Sequence, residues 1–391
     1  MTIDIERIRA ETPGLATVNH LLASGSALMP KPVVDAIITH IELEAQIGGY
    51  EAAAQMAGPL DAVYDQVANL IGAKPQEIAL HENATASWCH AFYAMPFKAG
   101  DRILTCQAEY AANYVAYLQR AKRDGIVIDL IPNDEAGAID VAALEAMLDD
   151  RVALIAITWV PTNGGLVNPA AAVGKVAAKH NIPYLLDACQ AVGQMPVDVA
   201  SLNCDYLTAT GRKFLRGPRG IGFLYIREAH IATTEPAMID HFAAPWIAAD
   251  RYELRPDARR FENWENAYAL RAGLGAAAVY AADIGIDNIQ KRAWGLADLF
   301  RQQLRDIRGA QLRDAGTEQC AIVSFTIDGL DPRRTVADLQ SMGINIGASD
   351  PSSTRLDAED RNLPTVLRAA PHYYNTEDEI GQLVLALKSL L

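Results

Sequence analysis

Two short segments of the chain carry side chains of the kind that perform chemistry. Asp187-Ala-Cys-Gln190 follows an apolar run, and Thr210-Gly-Arg-Lys213 follows the next one, so Lys213 stands 26 positions after Asp187. A carboxylate at the end of a buried strand is costly unless it holds a cation or a hydrogen-bond donor. In a parallel sheet both strand ends lie at the same carboxyl edge, where the carboxylate and the lysine can meet across a crevice.

This pair of residues is what pyridoxal phosphate requires. A lysine amine condenses with the aldehyde of the cofactor, and a carboxylate keeps the pyridine nitrogen protonated so that the ring accepts electrons. Gln190 follows closely enough to hydrogen-bond the ring phenolate. The spacing alone equally allows Asp187 to cap a helix and Lys213 to be a solvated surface lysine.

A phosphate site is predicted where Asn83-Ala-Thr85 opens a helix directly after a strand. The free N–H groups of a first helical turn attract anions, and the Thr85 hydroxyl adds a donor, with Thr210 as a second candidate. Tyr110 follows another strand end, where its ring can stack on a flat heteroaromatic ring. The alternatives are an ordinary threonine in a first turn and a tyrosine of the core or rim.

A sheet is needed to position these residues. Short apolar runs alternate with amphipathic stretches of helical period, which predicts βαβ units around a buried parallel sheet. The predicted strands are 77–81, 102–106, 127–131, 152–159, 184–187, 206–210 and 222–225, with the last a candidate for the opposite sense. After residue 265 the order becomes a looser α+β pattern. We therefore predict an α/β protein with an N-terminal arm at 1–22 that packs with the small domain, a large domain at 23–265 and a small domain at 266–391.

Composition narrows the function classes. With 48 acidic against 34 basic residues the net charge is −14, which argues against nucleic acid as a partner. The five cysteines form no C-x-x-C pair, as expected of free thiols in a reducing compartment. No apolar run approaches the roughly 20 residues of a membrane span. The first residues lack the features of a signal peptide, and no metal-ligand cluster stands out. We expect a cytoplasmic enzyme without a metal or a membrane partner.

The motifs together resemble the class V aminotransferase family of fold-type I pyridoxal-phosphate enzymes. The resemblance runs from Gly25-Ser-Ala-Leu-Met-Pro30, through Asp187-Ala-Cys-Gln190-Ala-Val-Gly193 and Thr210-Gly-Arg-Lys213, to Arg368-Ala-Ala-Pro-His-Tyr-Tyr-Asn375. It implies a large domain with a mostly parallel seven-stranded sheet and a smaller α+β C-terminal domain. It also implies a small amino-acid substrate and a homodimer with shared active sites.

The resemblance gives each residue near the ring a role. Lys213 corresponds to the Schiff-base lysine, and Asp187 to the partner of the pyridine nitrogen. Gln190 meets the phenolate, and Tyr110 stacks on the ring where many relatives place a histidine. Asn163, in the loop Pro161-Thr-Asn-Gly-Gly, falls where relatives place a residue near the ring or the substrate.

The same resemblance assigns the anion-binding residues. Ala84, Thr85 and Thr210 correspond to residues that hold the cofactor phosphate. Arg368 matches the arginine that grips the substrate α-carboxylate, and its planar guanidinium suits a carboxylate better than the point charge of a lysine.

Two departures from the family pattern bear on the phosphate. Relatives often have histidine before the lysine, and this chain has Arg212. Many also have a threonine that reaches the phosphate of the neighbouring subunit, and this chain has Glu265 at that position. A carboxylate beside a phosphate is repulsive unless a cation intervenes. We expect either that Arg212, helped by Arg216 or Arg219, lies between them, or that Glu265 faces solvent.

Position 373 bears on the reaction. Cysteine desulfurases with a similar final motif carry their sulfur-accepting cysteine five positions after the arginine, where this chain has Tyr373. Cys320, the nearby alternative, lies in an apolar strand, and buried cysteines are usually inert. We therefore do not expect a persulfide-type cysteine desulfurase.

We predict instead a C–S lyase that eliminates the β-substituent of a cysteine conjugate and releases pyruvate and ammonia. The segments Thr210–Gly220 and Phe261–Glu265 are most similar to the branch that contains the C–S lyase of ergothioneine biosynthesis. An aminotransferase or an amino-acid epimerase would use the same residues, so both alternatives stay open. A non-catalytic protein of this fold is disfavoured, because it has no chemical reason to combine Lys213, Asp187 and Arg368.

Overall fold

The structure is a computed structural model that describes residues 3–391, so the first two residues of the predicted arm at 1–22 lie outside it. Its helices are α1 (Ile5–Ala10), α2 (Ala23–Ser26), α3 (Lys31–Ile47), α4 (Gly49–Gln55), α5 (Ala57–Ile71), α6 (Ala84–Tyr93), α7 (Ala111–Asp124), α8 (Val141–Ala146), α9 (Ala170–His180), α10 (Val199–Leu202), α11 (Glu228–Ile231), α12 (Tyr268–Ile284), α13 (Ile286–Leu304), α14 (Pro332–Ser341), α15 (Arg355–Asp360) and α16 (Glu377–Ser389). In the described part of the chain no single helix is long and apolar enough to cross a membrane. The pair α12 and α13 passes that test together, by length and composition only, with a bend of 82° between them.

The strands form one large sheet and three smaller ones. They are β1 (Asn19–His20), β2 (Ile78–His81), β3 (Arg102–Thr105), β4 (Val127–Leu130), β5 (Val152–Thr158), β6 (Tyr184–Asp187), β7 (Tyr206–Thr210), β8 (Gly222–Ile226), β9 (Trp246–Ala248), β10 (Arg251–Tyr252), β11 (Ala310–Leu312), β12 (Val323–Ile327), β13 (Ile344–Asn345), β14 (Gly347–Ser349) and β15 (Val366–Ala369). The large sheet has the order β2-β8-β7-β6-β5-β3-β4 and is parallel except for β8. The seven predicted strands are thus confirmed to within one residue at each end, as is the opposite sense of the last.

Helices cover both faces of the large sheet, which explains why its strands read as continuous apolar runs. Along β5, Ile155 and Ile157 belong to one buried cluster and Leu154 and Ala156 to another. The first cluster includes side chains of α5 and α9, and the second includes side chains of α6 and α7. Alternation along a strand sends successive side chains to opposite faces. The α/β fold class is therefore confirmed.

The C-terminal part of the chain builds a separate antiparallel sheet with the order β11-β12-β15-β14. The N-terminal segment contacts this part, since β1 pairs in parallel with β13 and the Arg9 guanidinium lies 2.8 Å from a carboxylate oxygen of Glu379. The division into an arm and two domains stays a prediction. For the site, the important consequence is that β15 places Arg368 next to the loop that follows β5.

Candidate active site

The carboxyl edge of the large sheet gathers the polar ends of four parallel strands. Thr105, Thr158, Asp187 and Thr210 are the last residues of β3, β5, β6 and β7, and all four are buried. Pairing of Thr158 with Asp187, and of Asp187 with Thr208, aligns these ends side by side. The sheet therefore brings together the residues that the motif spacing predicted to meet.

Lys213 lies in a tight turn just beyond β7. The Arg216 N–H donates to the Lys213 carbonyl at 2.9 Å, and Arg216 has a φ of 61°, in the left-handed region that residues other than glycine rarely adopt. The turn packs directly against Gly193, which has a φ of 91°. A Cβ at position 193 would lie 2.3 Å from the Leu215 nitrogen, so the turn requires glycine there.

The Lys213 side chain is buried among charged and aromatic groups. Its Nζ lies 5.9 Å from the centre of the Tyr110 ring. Burial lowers the pKa of Lys213 below that of an ordinary lysine, while the charge of Asp187 acts in the opposite direction. A buried amine with a lowered pKa is the form of lysine that attacks an aldehyde or accepts a proton.

Asp187 is buried and held by two N–H donors. The Cys189 backbone N–H donates to Oδ1 at 2.9 Å, and the Asn113 side chain donates to Oδ2 at 3.0 Å. Together the two hydrogen bonds fix the plane of the carboxylate. The sequence reasoning missed Asn113 and also Glu109, which accepts a second hydrogen bond from the Asn113 amide. The sequence offered one indication, namely that these two polar residues stand on either side of the predicted site residue Tyr110.

The predicted phosphate residues surround the N-terminus of α6. The first N–H groups of a helix have no carbonyl acceptor within it. Here the Asn83 side chain accepts from the Ala86 N–H at 2.9 Å, which leaves the N–H groups of Ala84 and Thr85 for a ligand. The Thr85 side chain is exposed, and Thr210 is buried at the end of β7. A Cβ at Gly222 would lie 3.0 Å from the Ala84 nitrogen, so glycine lets β8 approach this turn closely.

Arg368 and Gln190 meet at Thr162. Arg368 NH1 donates to the Thr162 carbonyl at 2.8 Å and to its hydroxyl at 2.6 Å, and Gln190 Nε2 contacts the same hydroxyl at 3.4 Å. Burial lowers the pKa of Arg368 to about 10, so it stays cationic at neutral pH. Sequence reasoning selected the neighbouring Asn163 and missed Thr162, although both stand in the loop that the resemblance marked.

Two buried polar atoms in this group have no hydrogen-bond partner among residues 3–391, namely Gln190 Oε1 and Arg368 Nε. Buried polar atoms are normally paired, so these two indicate room for a ligand with polar groups. With the buried amine of Lys213, the carboxylate of Asp187 and the open turn of α6, the donor set fits pyridoxal phosphate and an amino acid.

Two predicted residues, Asn163 and Arg212, have other partners in the structure. The Asn163 amide donates to the Thr354 hydroxyl at 3.0 Å and accepts from Ser349, so it joins two loops across the site. Arg212 donates to the Gly25 carbonyl, and the Glu265 side chain is exposed. Among the described residues no ion pair joins Arg212 to Glu265, and both expectations for that carboxylate stay predictions.

None of the five cysteines has an environment that activates its thiol. Burial is the largest influence on each and raises the pKa of Cys89, Cys106 and Cys189, and that of Cys204 and Cys320 to about 12. At position 373, the Tyr373 hydroxyl is buried and accepts from Arg216 NH1 at 2.7 Å. That position therefore holds a packed phenol.

A buried lysine and a carboxylate at the carboxyl edge of a seven-stranded α/β sheet, with a helix N-terminus for a phosphate, define a pyridoxal-phosphate enzyme of fold type I. The comparison with protein families agrees. The chain belongs to the class V aminotransferase family, whose model, described as "Aminotransferase class-V", matches residues 19–383. The predicted family and cofactor are thus confirmed.

Its relatives match along the full length. A protein of Methanothermobacter thermautotrophicus named as a probable cysteine desulfurase is 27% identical, with 98% of each chain covered. The cysteine desulfurase of Yersinia pestis is 30% identical over 100% of this chain and 99% of its own. Among solved structures, the apo cysteine desulfurase of Thermococcus onnurineus superposes with a TM-score of 0.92 at 26% identity, over 100% of this chain and 98% of that one.

These relatives contradict our prediction of the reaction. The sequence led us to a C–S lyase for cysteine conjugates and away from desulfuration, with an aminotransferase or an epimerase as alternatives. The similar proteins are named cysteine desulfurases, and the aminotransferase alternative gains no support from them. The prediction gave too much weight to one position. It took the lack of a cysteine at position 373 to exclude the activity, although the similarity to cysteine desulfurases extends along the whole chain.

Proposed function

We propose that this enzyme breaks the Cβ–S bond of L-cysteine and passes the sulfur to a thiol, leaving alanine. The proposal rests on the full-length match to proteins named cysteine desulfurases. It is supported by the site, where Lys213, Asp187 and Arg368 lie together at one edge of the sheet. The role of each residue below is part of the same proposal.

Pyridoxal phosphate, when bound, supplies an aldehyde that captures the substrate amine and a ring that accepts the electron pair of a broken bond. Lys213 would hold the cofactor and would accept the Cα proton of the substrate, since burial favours its neutral amine. Asp187 would keep a proton on the ring nitrogen, and Gln190 would bond the ring phenolate. Tyr110, whose ring centre lies 5.9 Å from the Lys213 Nζ, would stack on the ring.

The substrate carboxylate is bound by Arg368, whose NH1 is already engaged by Thr162 and whose Nε is buried without a partner. Ala84, Thr85 and Thr210 hold the phosphate, with Arg212 near the ring. Asn163 acts indirectly, because its hydrogen bonds to Ser349 and Thr354 fix the loop that carries Thr162.

The sulfur must leave on an acceptor thiol. L-cysteine and a thiol R–SH give alanine and the persulfide R–S–SH, so a sulfur–sulfur bond replaces the carbon–sulfur bond and the atoms balance. Tyr373 cannot form a persulfide, and its hydroxyl is occupied by Arg216. We therefore propose a small-molecule thiol that enters the site as the acceptor, and excess thiol then releases hydrogen sulfide by forming a disulfide.

We further propose that two chains form a homodimer. The hairpin β9–β10 and its surroundings expose large apolar side chains, with Trp246 at 74%, Met238 at 64% and Trp264 at 46% accessibility. Large exposed apolar surface marks interaction sites. Light scattering on the purified protein tests this, and a mass of 42.3 kDa in solution would contradict it. A cytoplasmic location stays a prediction.

Product analysis tests the reaction. The protein, loaded with pyridoxal phosphate, is incubated with L-cysteine and dithiothreitol, and alanine, hydrogen sulfide, pyruvate and ammonia are measured. We expect alanine and hydrogen sulfide in equal amounts, and slower turnover when dithiothreitol is omitted, because L-cysteine is then the only thiol that can accept the sulfur. Pyruvate and ammonia in place of alanine would contradict the proposal.

A further inference from the structure

A second buried carboxylate lies behind Asp187, at the foot of α7. Glu109 is only 3% exposed, and its partners are uncharged donors. Its Oε1 accepts from the Tyr110 N–H at 2.8 Å and from the Thr158 hydroxyl, and its Oε2 accepts from the Thr105 hydroxyl at 2.8 Å. A carboxylate removed from water without a cation needs this many donors to stay ionised.

Asn113 joins the two carboxylates. Its Nδ2 donates to Glu109 Oε1 at 2.9 Å and to Asp187 Oδ2 at 3.0 Å. Ionised carboxylates only accept, so the amide oxygen of Asn113 cannot face either of them. Glu109 therefore fixes the amide in the one orientation that presents an N–H to Asp187.

We propose that Glu109 is a positioning residue which, through Asn113, holds the Asp187 carboxylate in the orientation that keeps the cofactor ring nitrogen protonated. With Asn113 in place, Asp187 is fixed at both oxygens, by Asn113 on one side and by the Cys189 N–H on the other. Without it, the carboxylate can rotate away from the ring.

The charge of Glu109 acts in the same direction. Burial raises the pKa of Glu109 to about 7, and the nearby charge of Asp187 contributes to the rise. Cys106 and Tyr117 also face Glu109, and because burial raises the pKa of both they remain neutral. Above its own pKa, Glu109 adds a negative charge behind Asp187, which favours a proton on the ring nitrogen.

The inference rests on the proposed role of Asp187, and the test separates the two. The enzyme is loaded with pyridoxal phosphate labelled with ¹⁵N in the ring, and the ¹⁵N chemical shift is followed against pH. Glu109→Gln keeps the shape of the side chain but weakens its hold on Asn113, because a neutral amide oxygen is a weaker acceptor than a carboxylate, and the hydroxyls of Thr105 and Tyr117 can accept from its new amide. Glu379→Gln is the matched control, because Glu379 is also buried and accepts from an asparagine four positions away, Asn375.

In E109Q we expect the ring nitrogen to lose its proton about one pH unit lower than in the wild type and in E379Q, with weaker cofactor retention. Asn113→Ala should act in the same direction, and E109Q should shift the titration less in N113A than in the wild type, because only the direct effect of the Glu109 charge is then left to remove. If E109Q does not fold, N113A decides the question.

The proposal is overturned if folded E109Q titrates like E379Q, or if N113A leaves the titration unchanged, while Asp187→Asn shifts it. An unshifted D187N would instead overturn the assigned role of Asp187, and the role of Glu109 with it.

Discussion

Two buried arginines near the active site differ in how completely their nitrogens are paired. Arg216 donates from Nε to the Leu28 carbonyl, from NH1 to Tyr373 and from NH2 to the Thr12 hydroxyl, at 2.6–2.8 Å. Arg368 bonds only through NH1, to Thr162, and its Nε is buried without a partner in the described residues. The comparison separates an arginine whose nitrogens are all engaged within the fold from one that keeps a buried donor without a partner, as its proposed role in binding the substrate carboxylate requires.

The surroundings support this distinction. The Arg216 guanidinium also lies 4.8–5.6 Å from the ring centres of Tyr280, Tyr373 and Tyr374, so aromatic faces enclose it. Arg368 shares its neighbourhood with Lys213 and Arg212, and those positive charges oppose one another. An anionic ligand bound at Arg368 would offset this repulsion.

The largest expected effect is on activity and comes from replacing the lysine of the active site. Lys213→Ala should lower the rate of cysteine consumption by at least about 10³-fold, since it removes both the cofactor anchor and the base. The melting temperature without cofactor should not fall, because a buried amine is costly to the fold. Assay and calorimetry of the same preparation check both, and a destabilised variant would mean that Lys213 is structural.

Arg216→Met should affect stability and spare the chemistry. Three oxygens lose their donor, and we expect the free energy of unfolding to fall by about 3 kcal/mol. The matched control is Arg334→Met, because the Arg334 side chain is 84% exposed, and it should fall within about 0.5 kcal/mol of the wild type. Urea unfolding measures both, and equal stability of the two variants would remove the distinction between the arginines.

Arg368→Lys should have the opposite profile. A lysine keeps the charge but loses the fork that grips a carboxylate, so KM for L-cysteine should rise at least about tenfold with a smaller change in kcat. Stability should change by less than about 1 kcal/mol. An unchanged KM would show that the substrate carboxylate binds elsewhere.

The smallest effect is expected from Thr162→Val, which keeps the shape of the side chain and removes the hydroxyl shared by Arg368 and Gln190. The loss of one hydrogen bond of about 1 kcal/mol corresponds to a KM about fivefold higher. Steady-state kinetics measure it, and a fall in kcat without any change in KM would argue against Thr162 acting on substrate binding.

Much of the fold was accessible from the sequence because buried parallel strands are local apolar runs, and the segments 152–159 and 184–187 show this directly. Asp187 and Lys213 were found for the same reason, since strand ends and loop lengths fix where they lie. Tertiary partners were not accessible. The Asn163 hydrogen bonds to Ser349 and Thr354 join residues 186 and 191 positions apart, and no local pattern encodes them.

The Glu109–Asn113 pair shows a further limit. Glu109 precedes α7 and Asn113 lies in its first turn, and only the packed sheet shows that Asn113 contacts both Glu109 and Asp187. The reaction was predicted wrongly for a different reason. Tyr373 differs from the family pattern at one position, whereas the relatives named cysteine desulfurases match the whole chain.

The most direct test of this account is to find which lysine carries the cofactor. The enzyme loaded with pyridoxal phosphate is reduced with borohydride, digested, and its peptides are analysed by mass spectrometry. The account predicts that the peptide containing Lys213 gains the mass of the reduced cofactor. Attachment at another lysine, or none after saturation with cofactor, would contradict the assignment of this edge of the sheet as the active site.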